Sequence, residues 1–383
     1  MLLKNRDMKM YYVANARMPN EKAHGIQLAK QCEAFAATGV ELELILPNLK
    51  NEITDSIESY YSLARSIRII KIPVLNAGFS RLAYNLRCLS FALFSFVYLI
   101  GKVRKKQAII YTIDLDQFSF FLLPFLRVPV FFEVHGSKKK NLFLTFFLRR
   151  VYGVITNSRG VGAKLQAEFG IPKEKMITAP NGIDPALFPS LFSKQEARKV
   201  LGLPFEKAIA VHTGQFYDWK GLEIVVETAK LCPDVLFYFV GGTEDAYKKT
   251  TGIKNIPSNV IFVGHRPLRE IPIWAASADV VLVLGTKKNP YSYTETSPMK
   301  IFEFLACGRP MVVSGTPANR EVVTEREVFF YGPDDARGLA AGIRQSLVGD
   351  DMWKRAVYGK EKAKEYTWSE RTKKIMKLIK EFS

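Results

Sequence analysis

Two glutamates with seven residues between them, Glu295 and Glu303, lie in the stretch E-T-S-P-M-K-I-F-E-F-L-A-C-G-R-P-M-V-V-S-G that runs from Glu295 to Gly315. Its pattern predicts a loop, a helix, a tight turn and a buried strand. Ser297 suits an N-cap and Pro298 a first helical position. Ile301, Phe302, Leu305 and Ala306 recur at helical spacing, Gly308 ends the helix, and Pro310 to Val313 is a short β-rich run. A helix starting here leaves the amides of Met299 and Lys300 without intrahelical acceptors, and its dipole puts positive charge at the same place. That is an anion site suited to a diphosphate. Carboxylates only accept hydrogen bonds, so the two glutamates suit a ligand with many hydroxyls. A nucleotide-sugar carries both features, with sugar hydroxyls for one glutamate and ribose hydroxyls for the other. Taken alone, the same spacing also describes two surface charges on an ordinary capped helix.

Such a site needs a scaffold that delivers strand ends to it. Met8 to Ala14, a helix over Ile26 to Ala37 and Glu41 to Leu46 make a β-α-β opening, which predicts a parallel sheet. Further strands are expected at Ile67 to Pro73, Ala108 to Thr112, Val128 to Val134, Gly153 to Thr156 and Met176 to Ala179. After residues 186–206, a linker with a short helix, the pattern restarts with strands at Ala208 to His212, Val235 to Val240, Val260 to Gly264 and Val280 to Leu284. Arg320 to Val323 and Val328 to Phe330 are expected to finish the second sheet, with helices to the C-terminus. His135 stands at the carboxyl end of a strand, where ligands gather in open α/β sheets. Lys220 precedes a helix over Leu222 to Leu231, and the pair Gly241-Gly242 would let backbone approach a ligand. The first loop has Gly25 but no G-x-G-x-x-G, which disfavours a dinucleotide-binding dehydrogenase.

E-x7-E followed by K-I-F-E-F-L-A-C-G-R-P resembles the retaining glycosyltransferases of the GT-B fold. More narrowly it resembles the large family 4-like group ("glycosyl transferases group 1") that includes bacterial mannosyl- and glucosyltransferases and sucrose synthases. The resemblance covers nearly the whole chain, and its motifs fall in order at strand ends. It implies two doubly wound, Rossmann-like α/β domains facing across a cleft. These would be residues 1–187, joined by a C-terminal helix 368–383 that crosses back, and residues 188–367, with Pro180 to Asp184 at the hinge. It further implies transfer of a hexose from GDP-mannose or a UDP-hexose to a hydroxyl of a glycan or lipid-linked acceptor, in cell-surface polysaccharide or glycolipid synthesis. Configuration would be retained, with the nucleotide-sugar as co-substrate and no cofactor or metal. In the family an Arg and a Lys grip the diphosphate; Lys220 matches the Lys, while Gln215 occupies the Arg position and carries no charge. His135 matches a histidine beside the sugar, His265 and Arg266 fall where the base lies, and Gly25 falls in a loop that approaches donor phosphates and acceptor. A helix-start glycine serves a merely structural purpose equally well.

Net charge is +18, unevenly spread. Residues 1–190 hold 26 Lys and Arg against 14 Asp and Glu, hence +12, and the remainder 29 against 23, hence +6. Such a field attracts nucleic acid or an anionic membrane. No nucleic-acid module is legible, so a basic nucleic-acid-binding protein is the weaker rival, beside a nucleotide-sugar epimerase on the same fold. The apolar run Leu82 to Gly101 is followed by Lys102, Arg104, Lys105 and Lys106, and Lys138 to Lys140 precede a second apolar helix over Leu142 to Leu148. Both read either as membrane-surface contacts or as buried helices with solvated basic ends. Asp114 and Asp116 form a D-x-D read as an acidic pair at a helix start. The four cysteines show no metal or disulfide spacing, and Met1 to Met10 has no apolar core for a signal peptide. These point to a cytoplasmic protein, with attachment at the inner face of the membrane left open.

Overall fold

The computed structural model describes residues 8–76, 78, 80–103, 107–116, 118–185, 188 and 192–382. Met1 to Asp7, and Arg104 to Lys106 of the first basic cluster, lie outside them. The chain divides into two compact units, Met1–Asn181 with Trp368–Ser383, and Gly182–Thr367. The change of unit falls between Asn181 and Gly182, and the C-terminal helix belongs to the first unit.

The first unit is built on β1 (Met8–Val13), β2 (Glu41–Pro47), β3 (Arg68–Ile72), β4 (Gln107–Ile113), β5 (Val130–Val134), β6 (Gly153–Thr156) and β7 (Met176–Thr178). They form one sheet in the order β3-β2-β1-β4-β5-β6-β7, parallel throughout. Side chains alternate across each strand, and β1 shows the consequence. Met8, Met10 and Tyr12 enter one core with the helix Ala23–Ala37 and the C-terminal helix Trp368–Glu381, while Tyr11 and Val13 enter the core on the opposite face. Near-continuous apolar strands are what a sheet covered on both faces requires.

The second unit carries β8 (Ala208–Thr213), β9 (Val235–Val240), β10 (Val260–Gly264), β11 (Val280–Val283), β12 (Met311–Ser314) and β13 (Phe329–Tyr331). Their order is β10-β9-β8-β11-β12-β13, again parallel. This is the doubly wound order, whose switch point lies between β8 and β11 here and between β1 and β4 in the first unit. Arg320 to Val323 add no strand: Arg320 ends the helical turn Pro317–Arg320, which the Thr316 side chain caps, and Glu321 and Val322 continue as a turn.

The long helix is Arg81–Val103. Cys88, Phe91, Ala92, Ser95, Leu99 and Val103 are buried on it, and Leu82, Leu86, Leu89, Leu93, Val97 and Ile100 are exposed. Each set recurs at three- and four-residue spacing, so the helix has two apolar stripes, only one of which meets the core.

Candidate active site

In the first unit the site is organised by a carboxylate. Glu133 is fully buried in β5 and points its side chain into the core. Its Oε1 accepts from Gln27 Nε2 at 2.8 Å and Arg371 Nη2 at 2.5 Å and meets His135 Nε2 at 2.5 Å, while Oε2 accepts from Tyr111 Oη at 2.5 Å. Burial alone would raise this carboxyl, but Arg371, then His135 and Tyr111, outweigh it and hold the pKa at about 2. His135 is thus tethered through its ring, and its backbone amide donates to Asp114 Oδ2 at 3.0 Å. Asp114 is paired with Lys138 at 2.8 Å. Asp114 is therefore no helix-start residue but a brace for the His135 loop. Asp116 accepts from the amides of Phe118 and Ser119 at 2.6 and 2.7 Å, but it too heads no helix: among the described residues the next helical turn is Leu123–Leu126, with Leu122 as its N-cap. His24 completes this neighbourhood; burial, then the charges of Lys22 and His135, push its pKa down to about 4.

The second unit collects cations. Gly214 follows β8 at the switch point with φ +112°, a backbone that favours glycine. A Cβ there would collide with the Lys300 ammonium and stand 3.7 Å from that of Lys220. Lys220 Nζ donates to the backbone carbonyl of Gln215 at 2.6 Å. Burial and then Lys300 push the Lys220 ammonium well below the usual lysine range, and burial lowers Lys300 likewise. Among the described residues neither lysine has a carboxylate within ion-pair distance. His212 in β8 feels both; burial, Lys300 and Lys220 keep it neutral. Its Nδ1 lies 3.0 Å from the Leu282 carbonyl and its Nε2 is buried without a partner. Lys300 enters from the helix Met299–Cys307, whose first amides face outward at its N-terminus. Glu295 is buried in a π-helical turn, Tyr291–Glu295, just before it, and Glu303 lies one turn inside, its carboxyl raised by burial. Such π turns concentrate at functional sites.

The structure corrects the expected helix cap and gives the positions of the other expected site residues. Pro298, not Ser297, is the N-cap of this helix, and no side chain caps it; Ser297 is buried ahead of it. The Gln215 side chain accepts from Tyr217 Oη at 2.5 Å, so it is the residue's carbonyl that meets Lys220. Gly242 is required by packing, since a Cβ there would strike the Phe216 ring. Gly25 sits in the first turn of its helix, which starts at Ala23, and a Cβ would strike Tyr61 and Asn20. His265 and Arg266 are exposed after the edge strand β10, two strands from β8, and Arg266 pairs loosely with Glu270 at 3.9 Å. The structure therefore gathers Lys220, Lys300, Met299, Glu295 and Glu303 around one strand switch and helix start, and leaves His265 and Arg266 at the sheet edge. The Lys300 side chain and His212 had no sequence signal, because their placement depends on how the helix packs on the sheet.

Two parallel, doubly wound sheets, with Lys220 and Lys300 meeting at the switch point of the second, define a two-unit α/β protein, and the comparisons make its class specific. Residues 25–187 match the model described as Glycosyltransferase Family 4, and residues 193–365 the model described as Glycosyl transferases group 1. The chain belongs to this glycosyltransferase family, on the GT-B fold. It is similar to the alpha-galactosylglucosyldiacylglycerol synthase of Streptococcus pneumoniae, 29% identical over 196 residues, 49% of each chain. It is also similar to the putative teichuronic acid biosynthesis glycosyltransferase TuaH of Bacillus subtilis, 23% identical over 211 residues, 54% of this chain and 52% of the relative. The chain thus matches about half the length of these curated relatives. Among solved structures, Anabaena HepE in complex with UDP and glucose aligns with a TM-score of 0.70 at 18% identity, over 97% of this chain and 98% of that one.

The Glu133 network yields a testable sign. Its carboxyl is depressed in the folded state from 4.5 to about 2. The stabilisation is therefore complete above about pH 4.5 and lost as pH falls toward 2. Arg371→Met should leave a buried, uncompensated carboxylate and cost about 3–5 kcal/mol at pH 7. Urea titrations at pH 7 and pH 3 check this: the gap between wild type and Arg371→Met should shrink on acidification. An equal gap at both pH values would show that Arg371 acts through packing alone.

Proposed function

We propose that this chain transfers a hexose from a nucleotide-diphosphate sugar to an acceptor hydroxyl, with retention of anomeric configuration. The observation that carries the reading is the meeting of Lys220 and Lys300 at Gly214, beside the start of the helix Met299–Cys307. Two partly buried lysines that repel each other and lack a carboxylate leave a positive field that a diphosphate neutralises, and a leaving diphosphate needs charge stabilisation above all. Glu295 is assigned to the hydroxyls of the transferred sugar, Glu303 to the ribose, and His135, held by Glu133, to the reacting sugar. The reading assigns no pair of carboxylates to the two faces of the anomeric carbon, so attack on the face from which the diphosphate departs is the mechanism we favour. The solved neighbour's complex with UDP and glucose supports a UDP-hexose as the first donor to test. GDP-mannose is the second.

The acceptor is proposed to be lipid-linked or part of a surface glycan, in keeping with the names of the two curated relatives. We further propose that the first unit docks on an anionic membrane. Its long helix is long and apolar enough to cross a bilayer, yet it packs one stripe on the core. The other stripe, with Leu82 69% and Val97 60% exposed, is available to acyl chains. The same unit exposes Leu142 and Phe143 beside Lys139, Lys140, Arg149 and Arg150. Lys138 is not part of that basic surface, because it is paired with Asp114. Each exposed Lys or Arg near an anionic surface contributes about 1 kcal/mol, which salt weakens.

Three outcomes are expected. With UDP-glucose or GDP-mannose and a glycolipid or glycan acceptor, Glu295→Ala and Lys220→Ala should lower turnover tenfold or more, about 1.4 kcal/mol or above, with little change in Tm; unchanged turnover in both would remove the donor-site assignment. Because lysines and a helix terminus hold the diphosphate in this reading, excess chelator should leave turnover nearly intact, and a loss restored by magnesium or manganese would point to a metal at the carboxylates instead. In vesicle sedimentation the protein should pellet with anionic vesicles, stay free with neutral ones and be released by high salt. Equal partition to both would reject the electrostatic docking.

A further inference from the structure

A cavity of about 220 Å³ in the first unit is lined by Asn15, Arg17, Leu49, Tyr84 and Arg87. Asn15 and Arg17 follow β1 and Leu49 follows β2, so the cavity opens at the carboxyl edge of the sheet, beside the switch point between β1 and β4. Tyr84 and Arg87 come from the first turns of the long helix. The Arg87 guanidinium lies over the Tyr84 ring, 5.1 Å from its centroid, and its Nε is buried without an acceptor. Among the described residues neither Arg17 nor Arg87 has a carboxylate within ion-pair distance. The carboxylate at hand, Asp116, is already saturated. Its oxygens accept from Asn15 Nδ2 at 2.6 Å, from the amides of Phe118 and Ser119 at 2.6 and 2.7 Å, and from Ser119 Oγ at 2.6 Å. A buried guanidinium N–H without a partner is costly, and two guanidinium groups around one cavity sharpen the question of what satisfies them.

We infer that this cavity is an oxyanion subsite that takes a phosphate ester on the acceptor. Planar guanidinium forks match phosphate bidentately and carry their charge at every physiological pH. The cavity holds several times the roughly 30 Å³ that one water occupies in the liquid, room for a phosphate and the first atoms of its ester. Leu49 and Tyr84 give those atoms an apolar wall. The phosphate belongs either to a lipid headgroup or to a soluble phosphorylated acceptor. The helix that supplies Tyr84 and Arg87 also bears the exposed apolar stripe, so a headgroup phosphate would reach the cavity with its chains along that helix. This inference rests on the reading of the first unit as the acceptor-binding domain.

The test keeps donor and acceptor anion sites apart. Glycerol 3-phosphate and glycerol are titrated calorimetrically into the 383-residue chain, into Lys220→Gln/Lys300→Gln, and into Arg17→Gln and Arg87→Gln. Glycerol 3-phosphate should bind the wild type and the double lysine variant alike, lose affinity tenfold or more in each arginine variant, and be favoured over glycerol. Arg87→Lys, which keeps the charge and loses the fork, should fall between and also report whether the site still folds, read by circular dichroism. Affinity unchanged by the arginine variants, or abolished only by the lysine pair, would overturn the subsite. Flotation with phosphatidylcholine vesicles, with and without phosphatidic acid, tells the sources apart. Arginine-dependent capture by phosphatidic acid supports the headgroup, and arginine-dependent binding of glycerol 3-phosphate without such capture supports a soluble acceptor. Phosphate binding without transfer from any nucleotide-sugar would leave the subsite standing and remove the glycosyltransferase reading; transfer with no phosphate binding would do the reverse.

Discussion

Everything in the first unit that bears on chemistry hangs from one buried charge. The carboxylate of Glu133 receives Arg371 from a helix 238 residues further along the chain, Tyr111 from the neighbouring strand and Gln27 from the first helix, and it meets the ring of His135. Arg371 also donates to Gln31 and to the Pro180 carbonyl. A buried ion pair is weak evidence for net stability, because desolvation consumes most of its Coulomb gain. Its effect is on arrangement: with Arg371, Tyr111 and Gln27 all donating to one carboxylate, the C-terminal helix is held in register on the sheet and His135 is tethered beside it. The Leu378 side chain, packed where a Cβ on Gly153 would fall, enforces the same register sterically.

The second unit shows the opposite electrostatic state. Lys220, Lys300 and His212 share a neighbourhood in which burial opposes charge, and among the described residues neither lysine has a carboxylate within ion-pair distance. Contrast this with Asp279, which takes Lys194 and Arg198 together at 2.7 and 2.6 Å on the same unit. Where the protein needs cations only to hold the fold, it supplies the anion itself. Unbalanced cations at a strand switch are the arrangement that an external anion would neutralise, which is why the proposed diphosphate site is assigned there.

Much of the architecture was legible in the chain because it is local. Apolar runs bounded by turn residues gave the strands to within a residue or two, Gly308 ends its helix in the left-handed region, and the restart at Ala208 marks the second sheet. What escaped depends on tertiary contact. Ser297 has the right residue type for a cap, but the π-helical turn before it leaves Pro298 in the capping position. Gly25 and Gly242 looked like ligand-facing glycines, and each is answered by a neighbouring side chain. Arg371 reads as one more basic residue in W-S-E-R-T-K-K, and nothing local announces that it is fully buried. Lys300 was legible as a helix-start amide, whereas the position of its ammonium against Gly214 was not.

The long helix shows the same limit in its sharpest form. A helix that is apolar all round reads from sequence as either buried or membrane-bound, since periodicity has no contrast to detect. Packing divides the stripes: Phe91 and Leu99 are sealed in the core while Leu93 and Val97 are half or more exposed. An ordinary amphipathic helix would place charges on the second stripe, and here the residues at those positions are leucine, valine and isoleucine. Arg87 lies between the two stripes, with its Nε buried and its neighbour Tyr84 partly exposed. The helix thus joins a hydrophobic outer face to a cationic cavity within its first two turns. An amphiphile with an anionic head has the matching distribution, and a solvated basic end on a buried crossover helix accounts for only one of the two features.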